Sequence, residues 1–213
     1  MDAFPSRRLG RDFIARHGET VFNAAHRLQG DAPHTPLTRA GFAQAEEMGR
    51  ALRELLGPKP ALTLWASNAG RALQTLAIVA EHLELDWHDA RVDPRLTEIG
   101  MGSWGGRYYA DVVGEVGAVI DSQGLLRPAP DGEDYPAIAT RVSGWLADTA
   151  QDAGDRLVIM HGISSRVMRG VMTGAADGHY GAPVLPGHPQ GTVTMIEGGR
   201  ESVVHLGLGY APA

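Results

Sequence analysis

The sequence predicts an α/β fold of three layers, α/β/α, with a mostly parallel central sheet, a late antiparallel edge hairpin and an inserted loop and helical segment. Three observations carry this. Short apolar runs at 12–15 (DFIA), 61–66 (ALTLWA) and 157–160 (LVIM) read as buried strands. Each run ends in a polar turn and gives way to a one-faced helical pattern. The length, 213 residues, suits one domain over 1–213 with an insertion at about 100–134.

The elements follow in order. The first strand, 12–15, runs into RHGET. A helix is expected over 38–56, with Phe42, Ala45, Met48, Leu52 and Leu55 on its inner face, Thr38 as N-cap and Gly57-Pro58 as the stop. The second strand, 61–66, leads through SNAGR to a helix burying Leu73, Leu76, Ala77, Ala80 and Leu83. A further strand is expected at 87–92. Residues 100–134 are rich in glycine and carry one poor helix at 112–120. A helix at 134–150 turns Ile138, Val142, Trp145 and Leu146 inward, and the central strand 157–160 precedes a helix bearing Ile163, Val167 and Val171. Segments 192–196 and 202–206 flank Gly198-Gly199 as a hairpin.

Composition excludes several classes. There is no cysteine, hence no disulfide scaffold, thiolate metal site or cysteine nucleophile. Nineteen basic against twenty-five acidic residues give a net charge of −6, with no long like-charged run, so neither nucleic acid nor an anionic membrane is an expected partner. No apolar run approaches the roughly 20 residues a bilayer span needs. The N-terminal MDAFPSRRLG has no apolar core of a signal peptide, and the expected location is the cytoplasm.

In a parallel α/β sheet, ligands bind outside the carboxyl ends of the strands. The residues directly after the three strands are Arg16 to Thr20, Ser67 to Arg71, and His161-Gly162. Two arginines, two histidines and at least two helix N-termini should therefore meet in one locally cationic crevice, suited to phosphate or sulfate. A neutral imidazole beside arginines can act as a nucleophile on phosphorus. The arginines and a protonated histidine would meet the spread charge of the transition state, and a carboxylic acid would protonate the leaving alkoxide. The remaining histidines (His26, His34, His82, His88, His179, His188 and His205) show no ligand spacing, and no metal or cofactor is expected.

The motifs FIARHGET, SNAGRALQT (read as SxxxRAxxT) and a later HG after an apolar strand resemble, together and in order, the histidine phosphatase superfamily, the phosphoglycerate mutase-like group, over about residues 12–206. The resemblance implies that His17 is the phosphorylated nucleophile and Glu98, in LTEIGMGSWGG, the general acid. It implies that Arg16, Arg71 and His161 hold the phosphoryl oxygens, with Thr20, Asn23 and Gly162 also at the phosphate. Arg27, Gln29 and Gly30 match an RxQG stretch on the substrate side, and Thr35-Pro36-Leu37-Thr38 matches a helix entry usually preceded by aspartate. The sequence departs from the family at Gly105, where glutamate is usual, and at Gln190, where asparagine is often found.

A phosphomonoester hydrolase of the histidine acid phosphatase type is therefore expected. Its partner would be a small phosphorylated metabolite, with a homodimer admitted as the assembly. The alternatives are a cofactor-dependent phosphoglycerate mutase and a non-catalytic phospholigand-binding module. The mutase is disfavoured because 100–134 holds only Arg107 and Arg127 as cations. The module is disfavoured because no member of the constellation is missing. Specificity is assigned to 100–134 and 174–190.

Overall fold

The computed structural model describes residues 8–209. In chain order its elements are β1 (Asp12–Arg16), α1 (Val21–Ala24), α2 (Arg39–Leu56), β2 (Leu62–Ala66), α3 (Gly70–Leu83), β3 (Arg91–Val92), α4 (Tyr109–Val116), α5 (Tyr135–Asp148), β4 (Asp155–Met160), α6 (Gly162–Thr173), β5 (Val193–Glu197) and β6 (Arg200–His205). The sheet order is β3-β2-β4-β1-β5-β6. The first four strands are parallel, and β5 and β6 add antiparallel to β1, as expected of a late edge hairpin.

Alternation along the strands splits the core in two. Phe13, Ala15, Leu64, Ala66, Leu157 and Ile159 join the apolar residues of α2 and α3. Ile14, Trp65, Val158 and Met160 join those of α5, α6 and the insertion. Register then levels the strand ends: Arg16 pairs with Met160, and Ala66 with Ile159. The carboxyl ends of β1, β4 and β2 thus lie side by side.

The insertion is not an appendage. Trp104, Val112, Val119, Leu125 and Leu126 are buried in the same apolar cluster as α5 and α6. Its helix runs from Tyr109 to Val116 and stops at Gly117, earlier than the expected 112–120.

Several local expectations are corrected. Thr38 does cap α2, accepting from the Gly41 amide. But Phe42 and Leu55 are 44% and 49% exposed, and the buried face reads Gly41, Ala45, Met48, Gly49, Leu52. Glycine takes the inner position because the backbone of the His17 loop crosses there: a Cβ on Gly41 would fall 2.0 Å from the Glu19 carbonyl oxygen. In α3 the buried face takes Thr75 and Val79, while Ala77 is exposed. The expected strand 87–92 is a 3-10 turn, Trp87–Asp89, followed by the two-residue edge strand β3. No helix among the described residues is long and apolar enough to cross a membrane.

Candidate active site

The loop after β1 is held from both sides. The His17 amide donates to the Met160 carbonyl (3.1 Å), extending the β1–β4 ladder. The Gly18 amide donates to Thr75 Oγ1 of α3 (3.1 Å). Glu19 is tied to α2: its amide donates to Gln44 Oε1 (2.7 Å), and its Oε1 accepts from Thr38 Oγ1 (2.6 Å). These contacts fix the ring of His17, which is 2% exposed. Its Nδ1 lies 2.6 Å from the Gly18 carbonyl oxygen, which can only accept, so Nδ1 carries the proton and Nε2 keeps the lone pair. Burial pushes the His17 pKa well below 6.5, and Arg71 and Arg16 push it further.

His161, after β4, is fully buried, its ring centre 5.1 Å from that of His17. Its Nδ1 accepts from Arg71 Nε (3.2 Å), which leaves Nε2 to donate to Ser67 Oγ (2.6 Å) after β2. Burial first, then Arg71 and His17, hold its pKa well below 6.5.

Arg71 enters from the first turn of α3 and is also fully buried. Nη1 donates to the Ala32 carbonyl (2.6 Å) and Thr35 Oγ1 (3.0 Å), and Nη2 to the Gly30 carbonyl (2.7 Å). The substrate-side stretch therefore folds around this guanidinium. Gly30 itself has φ +50°, and a Cβ there would fall 2.3 Å from Met101 Cγ, so only glycine suits the turn. Arg16 donates from Nη1 to the His188 carbonyl (2.7 Å), and its guanidinium lies against Gly162, where a Cβ would stand 3.2 Å from it. Burial lowers both arginines to about 10, while Glu98 works in the opposite direction.

Glu98 is 8% exposed and sits on the N-terminus of α6. Its Oε2 accepts from the Ile163 amide and its Oε1 from the Ser164 amide, each at 2.9 Å. This corrects one expectation: these helix-end donors hold a carboxylate of the protein, a natural partner for a helix N-terminus, and are not left for a ligand. Likewise the first amide of α3, Gly70, donates to the Pro33 carbonyl (2.9 Å).

A cavity of about 540 Å³ opens over this floor, lined by Arg16, His17, Asn23, Gln29, Gly30 and Glu98 together with His26, Arg27, Leu28, Met101, Tyr109, Ala110, Ile120 and Ile163. Asn23 and Gln29 line it, whereas Thr20, fully buried, stands behind them: its side chain accepts from the Asn23 amide as the cap of α1, and its hydroxyl meets the Gln29 amide group. Gly162, Arg71 and His161 lie below the lining. Gln190 is fully buried away from the cavity; a Cβ on Gly209 would fall 2.6 Å from its Oε1. The sequence reading gave no role to Thr75, the last residue of SNAGRALQT, and missed Gln44 and the His188 carbonyl. The first two lie far along the chain from the motif they brace, and a backbone acceptor leaves no residue-type signal. Among the described residues, no group of three or more His, Asp or Glu side chains is placed to hold a metal ion.

The two buried histidines tie stability to pH. Both have folded pKa values below the unfolded value of about 6.5. Below that pH the unfolded chain takes up protons that the native state refuses, so stability is complete above about 6.5 and falls as pH drops toward the folded values. The slope approaches about 1.4 kcal/mol per pH unit for each histidine. Urea midpoints should therefore decline between about pH 7 and pH 5, before most carboxylates titrate. A flat profile there would contradict the neutral burial of both rings.

Comparison with known proteins shows the family and the fold. Residues 13–208 match the family model of the histidine phosphatase superfamily, branch 1. A protein of Enterobacter sp. described as a probable phosphoglycerate mutase is 33% identical over 163 residues, covering 71% of this chain and 69% of its own. The fructose-2,6-bisphosphatase TIGAR B of Danio rerio is 32% identical over 202 residues, covering 91% of this chain and 73% of its own. Among solved structures, a mycobacterial glucosyl-3-phosphoglycerate phosphatase in complex with VO3 has TM-score 0.75 at 24% identity, over 94% of this chain and 100% of its own.

Proposed function

Because this chain belongs to the histidine phosphatase superfamily, we propose that it hydrolyses phosphate monoesters of small metabolites through a phosphohistidine on His17. The observation that carries this reading is the His17 ring itself: Nδ1 is committed to the Gly18 carbonyl, and Nε2 holds a lone pair on the floor of a cavity shared with Arg16 and Glu98. Low proton affinity keeps that lone pair available at neutral pH.

In the first step Nε2 attacks phosphorus, the P–O bond to the alcohol breaks, and the departing oxygen takes a proton from the Glu98 carboxyl group. In the second, water attacks phosphorus, Glu98 takes the water's proton, the P–Nε2 bond breaks with its electron pair returning to Nε2, and inorganic phosphate leaves. Arg16 and Arg71 face the equatorial oxygens. Arg71 has five N–H groups, four of them already directed at His161, Ala32, Thr35 and Gly30, so one Nη2 proton and the full charge remain for the phosphoryl group. His161 supports the site from beneath as a positioning residue, its Nδ1 accepting from Arg71 Nε and its Nε2 donating to Ser67 Oγ. The helix seat of Glu98 holds the acid in reach of the cavity and does not let it swing to solvent.

The test is trapping. Brief reaction with a radiolabelled monoester and quenching in base should leave acid-labile, base-stable label on His17, absent from His17→Asn. Metal-free turnover without such label would defeat the reading. A phosphoglycerate mutase would use the same floor, and a coupled assay in which isomerisation outruns hydrolysis would favour it.

A further inference from the structure

The cavity is larger than a phosphoryl group needs and falls in the size range of sites for whole small molecules, so its upper wall describes the alcohol. That wall is apolar: Leu28, Met101, Tyr109, Ala110, Ile120 and Ile163. Four of them, Met101, Tyr109, Ala110 and Ile120, come from the insertion, which is itself anchored in the core by Val112 and Val119. The wall is thus a fixed surface.

Cations are scarce above the floor. Among the residues lining the cavity, Arg27 is the one arginine or lysine besides Arg16. Its guanidinium lies 4.4 Å from the ring centre of Tyr108 and 5.5 Å from that of Phe22, an arrangement that offers a flat, weakly hydrated plane. The two arginines of the insertion are engaged elsewhere: Arg107 with Glu115, and Arg127 with the Val116 carbonyl and the Trp104 ring. Arg166 holds the carbonyls of Leu185 and Gly124. A second phosphate on the substrate would enter this space as a dianion facing one guanidinium, Arg27, and one imidazole, His26, against a mostly apolar wall, and an underpaired charge set against apolar surface is costly.

Building on the phosphatase reading, we propose that the substrate is a monophosphate ester whose alcohol carries a planar apolar group, seated against Ile120, Met101 and Tyr109 with Arg27 at its edge, and bears no second anionic group. Ile120 and Met101 are specificity-determining residues. They make the alcohol's contacts and take no part in bond breaking.

The experiment ranks kcat/KM for four alkyl monoesters with similar leaving groups: naphthylmethyl phosphate, glycerol phosphate, phosphoglycerate and a fructose bisphosphate. Naphthylmethyl phosphate should lead glycerol phosphate by about tenfold or more, the effect expected of burying one apolar group. Phosphoglycerate and the bisphosphate should not exceed glycerol phosphate. Ile120→Asp should shrink the naphthylmethyl to glycerol ratio about tenfold, and inhibition by vanadate checks that its reaction centre is formed. Met101→Ser makes the same test from another part of the wall, and the wild-type ranking stands without either variant. A lead for the bisphosphate or phosphoglycerate, or a ratio unmoved by both substitutions, overturns the proposal. Either result with His17 still trapped as phosphohistidine leaves the phosphatase reading in place, whereas failure of trapping removes that reading first.

Discussion

His17→Ala should lower kcat/KM for every phosphate monoester by at least about 10³-fold, because the variant loses the imidazole that attacks phosphorus from the cavity floor. Arg16, Arg71 and Glu98 remain, so substrate still binds, and the loss should fall on kcat more than on KM. The same variant carries a second readout. Removing one of the two histidines that are buried neutral should take away about half of the stability lost between neutral and mildly acidic pH. A purely structural His17 would show the second effect without the first. Retention of more than a few per cent of wild-type kcat would place the nucleophile elsewhere.

The parts of this molecule that the sequence discloses are those governed by local rules. DFIA and LVIM are strands buried on both faces, ALTLWA is buried over its last three residues, and the turn after each is polar because it lies at the sheet's carboxyl edge, where ligands enter. Level strand ends then bring Arg16, Arg71 and His161 together, with Thr38 entering α2 as its spacing suggests. What the sequence hides depends on close approach between distant segments. Phe42 occupies an apolar position in the helical period yet faces solvent, because Gly41 takes the contact with the Glu19 loop. The role of Glu98 as a cap for α6 crosses from residue 98 to 164 and cannot be read from either segment alone. Gln190 is fully buried and does not line the cavity, its side chain packed closely against Gly209, a contact between segments that neither shows alone.

Arg71→Met should damage stability and activity together, in a pattern that identifies the cause. Methionine replaces the aliphatic stem of the side chain but leaves the buried Gly30 carbonyl and the part-buried Ala32 carbonyl without their donor. Each unmet acceptor costs about 1–3 kcal/mol, offset in part by relief of a buried cation, so a net loss of about 2–4 kcal/mol is expected at neutral pH. Activity should fall about 10²–10³-fold, the cost of losing one preorganised donor to a developing oxyanion. The discriminating measurement is pH. Arg71 is the largest charge-based cause of the low pKa of both His17 and His161, second only to burial. Without it both folded pKa values rise toward 6.5, the native state takes up protons more readily in mild acid, and the variant loses less stability than the wild type as pH falls. The stability gap between the two should therefore narrow from about pH 7 to pH 5. A gap that stays constant across that range would mean that the guanidinium braces the substrate loop without setting the charge state of the histidines, and the electrostatic account of the nucleophile would fall with it.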